Sequence, residues 1–128
     1  MNKKINLFLI IVWMIFIFIM SSFNADISSN QSGFIVNTIS NIFNINNLDL
    51  LTLIIRKLAH FTEYFILGLL LYNYDKNILK AIIICFIYAI SDEVHQLFII
   101  GRSFQIKDIL IDALGSICGV YFIKKISK

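Results

Sequence analysis

Residues 56–68, RKLAHFTEYFILG, and residues 91–119, SDEVHQLFIIGRSFQIKDILIDALGSICG, decide how this chain folds. Each sets ionisable side chains into a run that is otherwise apolar. An ionisable group in hydrocarbon costs at least a few kcal/mol, so such residues must face inward, pair with one another or bind something. The rest of the chain shows why hydrocarbon is the relevant solvent.

The chain has 128 residues, 59% hydrophobic and 15% charged, with no proline. A soluble domain this small has too much surface for its volume to hide so much apolar area. Lipid can cover what protein cannot. The reading is one all-α domain over residues 1–128, a polytopic membrane protein with about four transmembrane helices in a small bundle. The formal net charge is +3, and the lysines lie mainly at the termini and in the middle turn. No dense basic stripe suits nucleic acid, which is therefore excluded as a partner. Cys85 and Cys118 both sit inside apolar runs and read as small hydrophobes, without a disulfide framework.

The spans are expected at residues 5–23, 54–73, 78–98 and 106–123. The first follows Lys3 and Lys4, as a signal peptide would, but SSFNA is a poor cleavage site and the helix reads as retained. Residues 24–50 are polar, lack lysine and arginine, and read as an external loop. Within that loop, the apolar spacing of residues 34–45 suggests a short interfacial helix. Lysines 3, 4, 76, 80, 124, 125 and 128 fall on one side of a four-helix arrangement, against Arg56, Lys57, Arg102 and Lys107 on the other. The positive-inside rule then places both termini in the cytoplasm and the 24–50 loop outside.

Three of the spans carry their polar residues toward the outer end. At 100° per residue, Arg56, His60 and Glu63 fall within about 60° of arc, with Lys57 about 60° further round. Asp92, Glu93 and Gln96 share about 100°, leaving His95 on the other flank of Asp92. Asp108, Asp112, Gly115 and Gly119 form a stripe about 60° wide, whose glycines let a neighbouring helix approach closely. Glu63, Asp92, Glu93, Asp108 and Asp112 thus converge with Arg56, Lys57, Arg102 and Lys107 as counter-ions, and with histidines able to switch charge. Such a network can serve only to fix helix register. Its concentration at one end, with more carboxylates than minimal pairing needs, favours a site. The phenylalanines, most tyrosines and Trp13 read as bulk.

These stretches resemble the VanZ-like family of bacterial membrane proteins. The shared pattern is K-x-x-H-x-x-E-Y-x-x-L-G, then D-E-x-x-Q, G-R, and D-x-x-x-[N/D]-x-x-G-x-x-x-G, across about residues 56–119. The helix before it and the SSFN segment at residues 21–24 are compatible with the family's usual start. The resemblance implies a multi-spanning fold in the cell envelope, with a namesake associated with low-level teicoplanin resistance. Carried over by position, it singles out Lys57, His60, Glu63, Asp92, Glu93, Gln96, Arg102, Asp108 and Asp112. Asp112 stands where the family often has Asn.

Two functions follow as expectations. In one, Lys57, Gln96, Arg102, Asp108 and Asp112 bind a lipid-linked cell-wall precursor or a glycopeptide at the outer leaflet, since arginine recognises phosphate and carboxylate in a bidentate fork. In the other, an intramembrane hydrolase or transferase uses Glu63 or Asp92 as general base, His60 as proton shuttle, Glu93 beside them, and Arg102 as stabiliser of negative charge. No fixed signature such as H-E-x-x-H assigns a metal, and cofactors are left open; oxygen-rich sets suit Mg²⁺ or Mn²⁺, and a histidine favours Zn²⁺. An ion path is disfavoured because the inner halves of the spans are apolar.

Overall fold

The computed structural model describes residues 2–23 and 25–128, so Asn24, where the expected external loop begins, lies outside the described residues. Five helices follow one another: α1 (Lys3–Ser21), α2 (Ala25–Phe43), α3 (Leu48–Asp75), α4 (Ile78–Gln96) and α5 (Ile106–Ile126). No strand occurs among the described residues. Asparagines start three of the helices. The side chains of Asn2, Asn47 and Asn77 accept from the backbone N–H of Lys4, Leu50 and Lys80, satisfying donors that a helix start leaves orphaned. Helix α3 ends where Lys76 adopts a left-handed conformation, φ 55°.

The structure corrects the reading of residues 24–50. Most of that stretch is helix α2, which packs on α3. Its buried positions Ser32, Val36 and Ser40 recur every four residues, while Phe34, Ile42 and Phe43 are exposed. The face turned toward the protein is thus partly polar, which is why apolar periodicity alone underestimates the helix.

Helices α3 and α5 run in the same direction and approach most closely. A Cβ added at Gly68 would lie 2.5 Å from the Ser116 carbonyl oxygen. One at Gly115 would overlap the Phe61 carbonyl oxygen, and one at Gly119 the Phe65 carbonyl oxygen. The glycine stripe of α5 therefore packs directly on the α3 backbone, as small residues allow. Around this contact Ile17, Leu67, Ala81, Cys85, Ala89 and Val120 form the core.

Helix α1 is tied to its neighbours by polar anchors. Asn6 donates to the Leu70 carbonyl at 3.2 Å, and the Trp13 indole donates to the Glu63 carbonyl at 2.8 Å. Tyr88 of α4 donates to the Met14 carbonyl at 2.6 Å. Trp13 is thus a specific donor, contrary to its reading as bulk. Backbone carbonyls in a helix have a second lone pair to offer, which a buried indole N–H can use.

The exterior is apolar: Phe8, Leu79, Ile87 and Phe122 are each half exposed or more. Contiguous apolar surface of this kind needs a partner, lipid or protein. Among the described residues, α1 alone is long and apolar enough to cross a membrane by length and composition. Helices α3, α4 and α5 have 28, 19 and 21 residues, but their ionisable residues lower their hydropathy. The expectation of an all-helical fold holds, whereas composition supports one span and not four. At the end opposite the polar cluster, Lys3 lies 5.4 Å over the Tyr74 ring and Lys80 pairs with Asp75.

Candidate functional site

Helices α3, α4 and α5 bring their ionisable residues together at one end of the bundle. On α3, Lys57, His60 and Tyr64 are spaced three to four residues apart and so share a face. The same spacing aligns Asp92 with Gln96 on α4, and Asp108 with Asp112 on α5. Because the α5 glycines allow backbone contact, Asp112 is carried up against α3 and has no exposed side-chain surface. His60 Nδ1 lies 3.4 Å from Asp112 Oδ1 and 4.0 Å from Glu63 Oε2. Asp92 joins from α4: one ligand-type atom from each of His60, Asp92 and Asp112 lies within 4.8 Å of the others.

A second layer surrounds this centre. Lys57 pairs with Asp108 and also donates to Gln105 Oε1 at 3.3 Å. The Gln105 backbone N–H donates to Glu93 Oε2 at 3.1 Å, tying the start of α5 to the end of α4. Arg102, in the turn between those helices, donates through Nε to the Phe23 carbonyl at 3.1 Å. Burial, with Arg56 nearby, holds Arg102 below the usual arginine value, but a guanidinium stays charged at physiological pH. Lys57, His60, Gln96, Arg102 and Asp108 border one small cavity. The nine residues singled out in the sequence therefore gather in one region.

Several of these polar atoms are buried without a hydrogen-bond partner. Among the described residues they include His60 Nδ1, the Tyr64 hydroxyl, Asp92 Oδ2, Glu93 Oε1, Gln96 Nε2 and both oxygens of Asp112. His60 and Asp112 are close enough for charge attraction, but at 3.4 Å their geometry does not make a hydrogen bond. Buried polar groups in folded proteins are nearly always satisfied, and each one left alone costs about 1–3 kcal/mol. So many in one place describe a centre shaped to receive polar or charged atoms.

A larger cavity of about 190 Å³ opens beside it, among α1, α2 and α3. Apolar Met20, Ile35 and Ile55 line it together with Arg56, His60, Glu63 and Arg102. Ser21, at the end of α1, also borders this cavity and lies beside Asp92.

Some of the site was missed in the sequence. Gln105 sits just before α5 and carries the contacts to both Glu93 and Lys57. Its position in the GRSFQIKD turn, as the residue before a helix, was the available signal. Tyr64 is fully buried and not interfacial bulk. It follows Glu63 in the same turn and faces Asp92 and Asp112 across the bundle. His95 turns toward α1, within 3.0 Å of Ser22 Oγ and stacked on Phe18.

A family model described as VanZ/LLP1 matches residues 6–127, nearly the whole chain, and the chain belongs to that family. No curated protein and no solved structure gives a match.

Proposed function

We propose that this VanZ/LLP1 family member is a polytopic protein of the cell membrane. In this reading α1, α3, α4 and α5 cross the bilayer, both termini are cytoplasmic, and α2 lies along the outer interface. The excess of lysines at the end bearing both termini supports that orientation. The polar centre then faces the outer leaflet, where it binds the anionic headgroup of a lipid-linked cell-wall precursor and contributes to glycopeptide (teicoplanin) resistance.

One observation carries this reading. The larger cavity is lined both by apolar Met20, Ile35 and Ile55 and by Arg56, Arg102, His60 and Glu63. That is the lining an amphiphile requires: chain against Met20, Ile35 and Ile55, and phosphate or carboxylate against the two guanidiniums. The test is binding of a polyprenyl-pyrophosphate-linked precursor to the protein in nanodiscs. Arg102→Gln should weaken it about tenfold, the scale of one charge-assisted contact. An affinity unchanged in Arg102→Gln removes the reading.

An intramembrane hydrolase or transferase is the second reading, favoured by the unpartnered carboxylates of Asp92 and Asp112 around His60. Glu63 or Asp92 would then take a proton, His60 would relay it, and Arg102 would stabilise the charge that develops. Turnover of the precursor that is lost in Glu63→Gln supports this reading; binding without turnover removes it.

A further inference from the structure

We propose that His60, Asp92 and Asp112 hold one first-row divalent cation, Zn²⁺ or Mn²⁺, with Glu63 placed to complete its coordination. The inference deepens the reading of the same centre and rests on that reading only for what the ion would do there.

The geometry comes first. The three residues come from three different helices, and their ligand-type atoms lie within 4.8 Å of one another. Two donors each about 2.0–2.2 Å from one tetrahedral ion stand roughly 3.3–3.5 Å apart. His60 Nδ1 and Asp112 Oδ1 stand 3.4 Å apart. Glu63 Oε2 lies 4.0 Å from the same nitrogen, outside the 4.8 Å group, and would join the three by a change of side-chain rotamer.

The pattern of satisfied and unsatisfied groups points the same way. Of the neighbouring carboxylates, Asp108 pairs with Lys57, and Glu93 accepts from the Gln105 N–H through Oε2 while its Oε1 has no hydrogen bond. In the proposed set His60 Nδ1, Asp92 Oδ2 and both Asp112 oxygens are all buried without a hydrogen bond. Asp112 is fully buried and Asp92 is 4% exposed. Unpartnered atoms that converge on a common point from separate helices are arranged for a ligand smaller than a side chain.

Charge and donor type narrow its nature. Asp92, Asp112 and a neutral imidazole carry two negative charges, which one divalent ion neutralises in a place where uncompensated charge is costly. The further charge of Glu63 is balanced by Arg56 and Arg102, which line the adjoining cavity with it. The imidazole favours Zn²⁺ over Ca²⁺ and Mg²⁺, the carboxylates also admit Mn²⁺, and the absence of a thiolate in the set disfavours Cu(I). The competing arrangement is a protonated His60 paired with Asp112, which would hold no metal.

The test is elemental analysis of the full-length protein in detergent. The protein is stripped with chelator, offered Zn²⁺ or Mn²⁺, and desalted. The expected result is about one ion per chain for the native protein and for Asp75→Asn, whose carboxylate pairs with Lys80 at the opposite end of the bundle. Affinity should fall at least tenfold in His60→Gln and in Asp112→Asn, the minimum known for losing even an outer partner of a metal ligand. Should a variant fail to accumulate, the native protein decides by itself: Co²⁺ bound there gives the visible bands of a nitrogen- and oxygen-ligated site. Native protein that takes up no ion overturns the proposal, as does full retention in His60→Gln. Precursor binding by native protein that takes up no ion would leave the proposed function standing while removing the ion; a bound ion without precursor binding would do the reverse.

Discussion

Replacing Gly115 with alanine should loosen the α3–α5 contact and separate His60 from Asp112. The added methyl would overlap the Phe61 carbonyl oxygen and lie 3.1 Å from the Phe61 carbonyl carbon. Both atoms are backbone, so neither can swing aside as the tip of a side chain would. Recovering an ordinary C···O approach of about 3.3–3.6 Å requires the helices to part by roughly 1 Å. Overpacking of this kind costs about 1–3 kcal/mol, and the better helix propensity of alanine offsets up to about 1 kcal/mol. With the full offset the net loss is about 0–2 kcal/mol, up to roughly 30-fold in the folding equilibrium. Relative to an unhindered Gly→Ala change, which gains the same propensity, the loss is the whole overpacking cost of about 1–3 kcal/mol. Asp112 lies one turn before Gly115, so the same movement takes it from 3.4 Å to roughly 4.4 Å from His60, beyond ion-pair contact. Thermal unfolding in detergent measures the first effect, and retention of Zn²⁺ after desalting measures the second. Gly68→Ala places its methyl 2.5 Å from the Ser116 carbonyl. It should cost similar stability, with a smaller loss of metal, since Gly68 lies about two turns beyond His60. Gly33→Ala meets nothing within 4 Å and should be neutral or slightly stabilising. If Gly115→Ala unfolds at the temperature of Gly33→Ala, the close α3–α5 contact is absent and the reasoning fails.

Other outcomes follow from single contacts. Trp13→Phe keeps an aromatic side chain but loses the donor to the Glu63 carbonyl and part of the indole's packing; denaturant unfolding should show a loss of at least about 1 kcal/mol. Lys57→Met strands Asp108 and should cost more than Lys57→Met combined with Asp108→Asn. Both side chains are partly exposed, so the coupling in that double-mutant cycle should be about 1 kcal/mol, and additive costs would refute the pairing. Glu93→Gln weakens the acceptor for the Gln105 N–H, so hydrogen exchange at Gln105 should accelerate while exchange in the middle of α3 stays unchanged. Cysteines placed by Asn46→Cys and Asn77→Cys should be labelled from opposite sides of intact membranes; labelling from the same side would contradict the proposed topology.

The legibility of the fold tracked how far each helix depends on lipid-like packing. Apolar runs made α1, α4 and most of α5 visible, although α3 begins at Leu48, earlier than its apolar density suggested, because Asn47 caps it there. Helix α2 was legible only in its second half. Its serines and asparagines are weak helix formers, and it is tertiary burial of Ser32, Val36 and Ser40 that the sequence does not display. In the site, helical spacing alone aligned Asp108 with Asp112 and His60 with Glu63. Partner choice was invisible: nothing in the spacing joins Lys57 to Asp108, the Gln105 N–H to Glu93, or Trp13 to the Glu63 carbonyl. Those contacts depend on the crossing of helices, which is set by the glycines and only then read out by the polar residues.

Convergence of α3 and α5 side chains on one buried polar centre underlies every functional statement above, and site-directed cross-linking tests it most directly. In a background with Cys85 and Cys118 replaced by alanine, the pair His60→Cys and Asp112→Cys should be joined rapidly by a short bis-methanethiosulfonate reagent. The pair His60→Cys and Tyr121→Cys should not, because Tyr121 is half exposed on the outside of α5. Equal linkage of both pairs, or linkage only of the second, would mean that His60 and Asp112 do not share a centre.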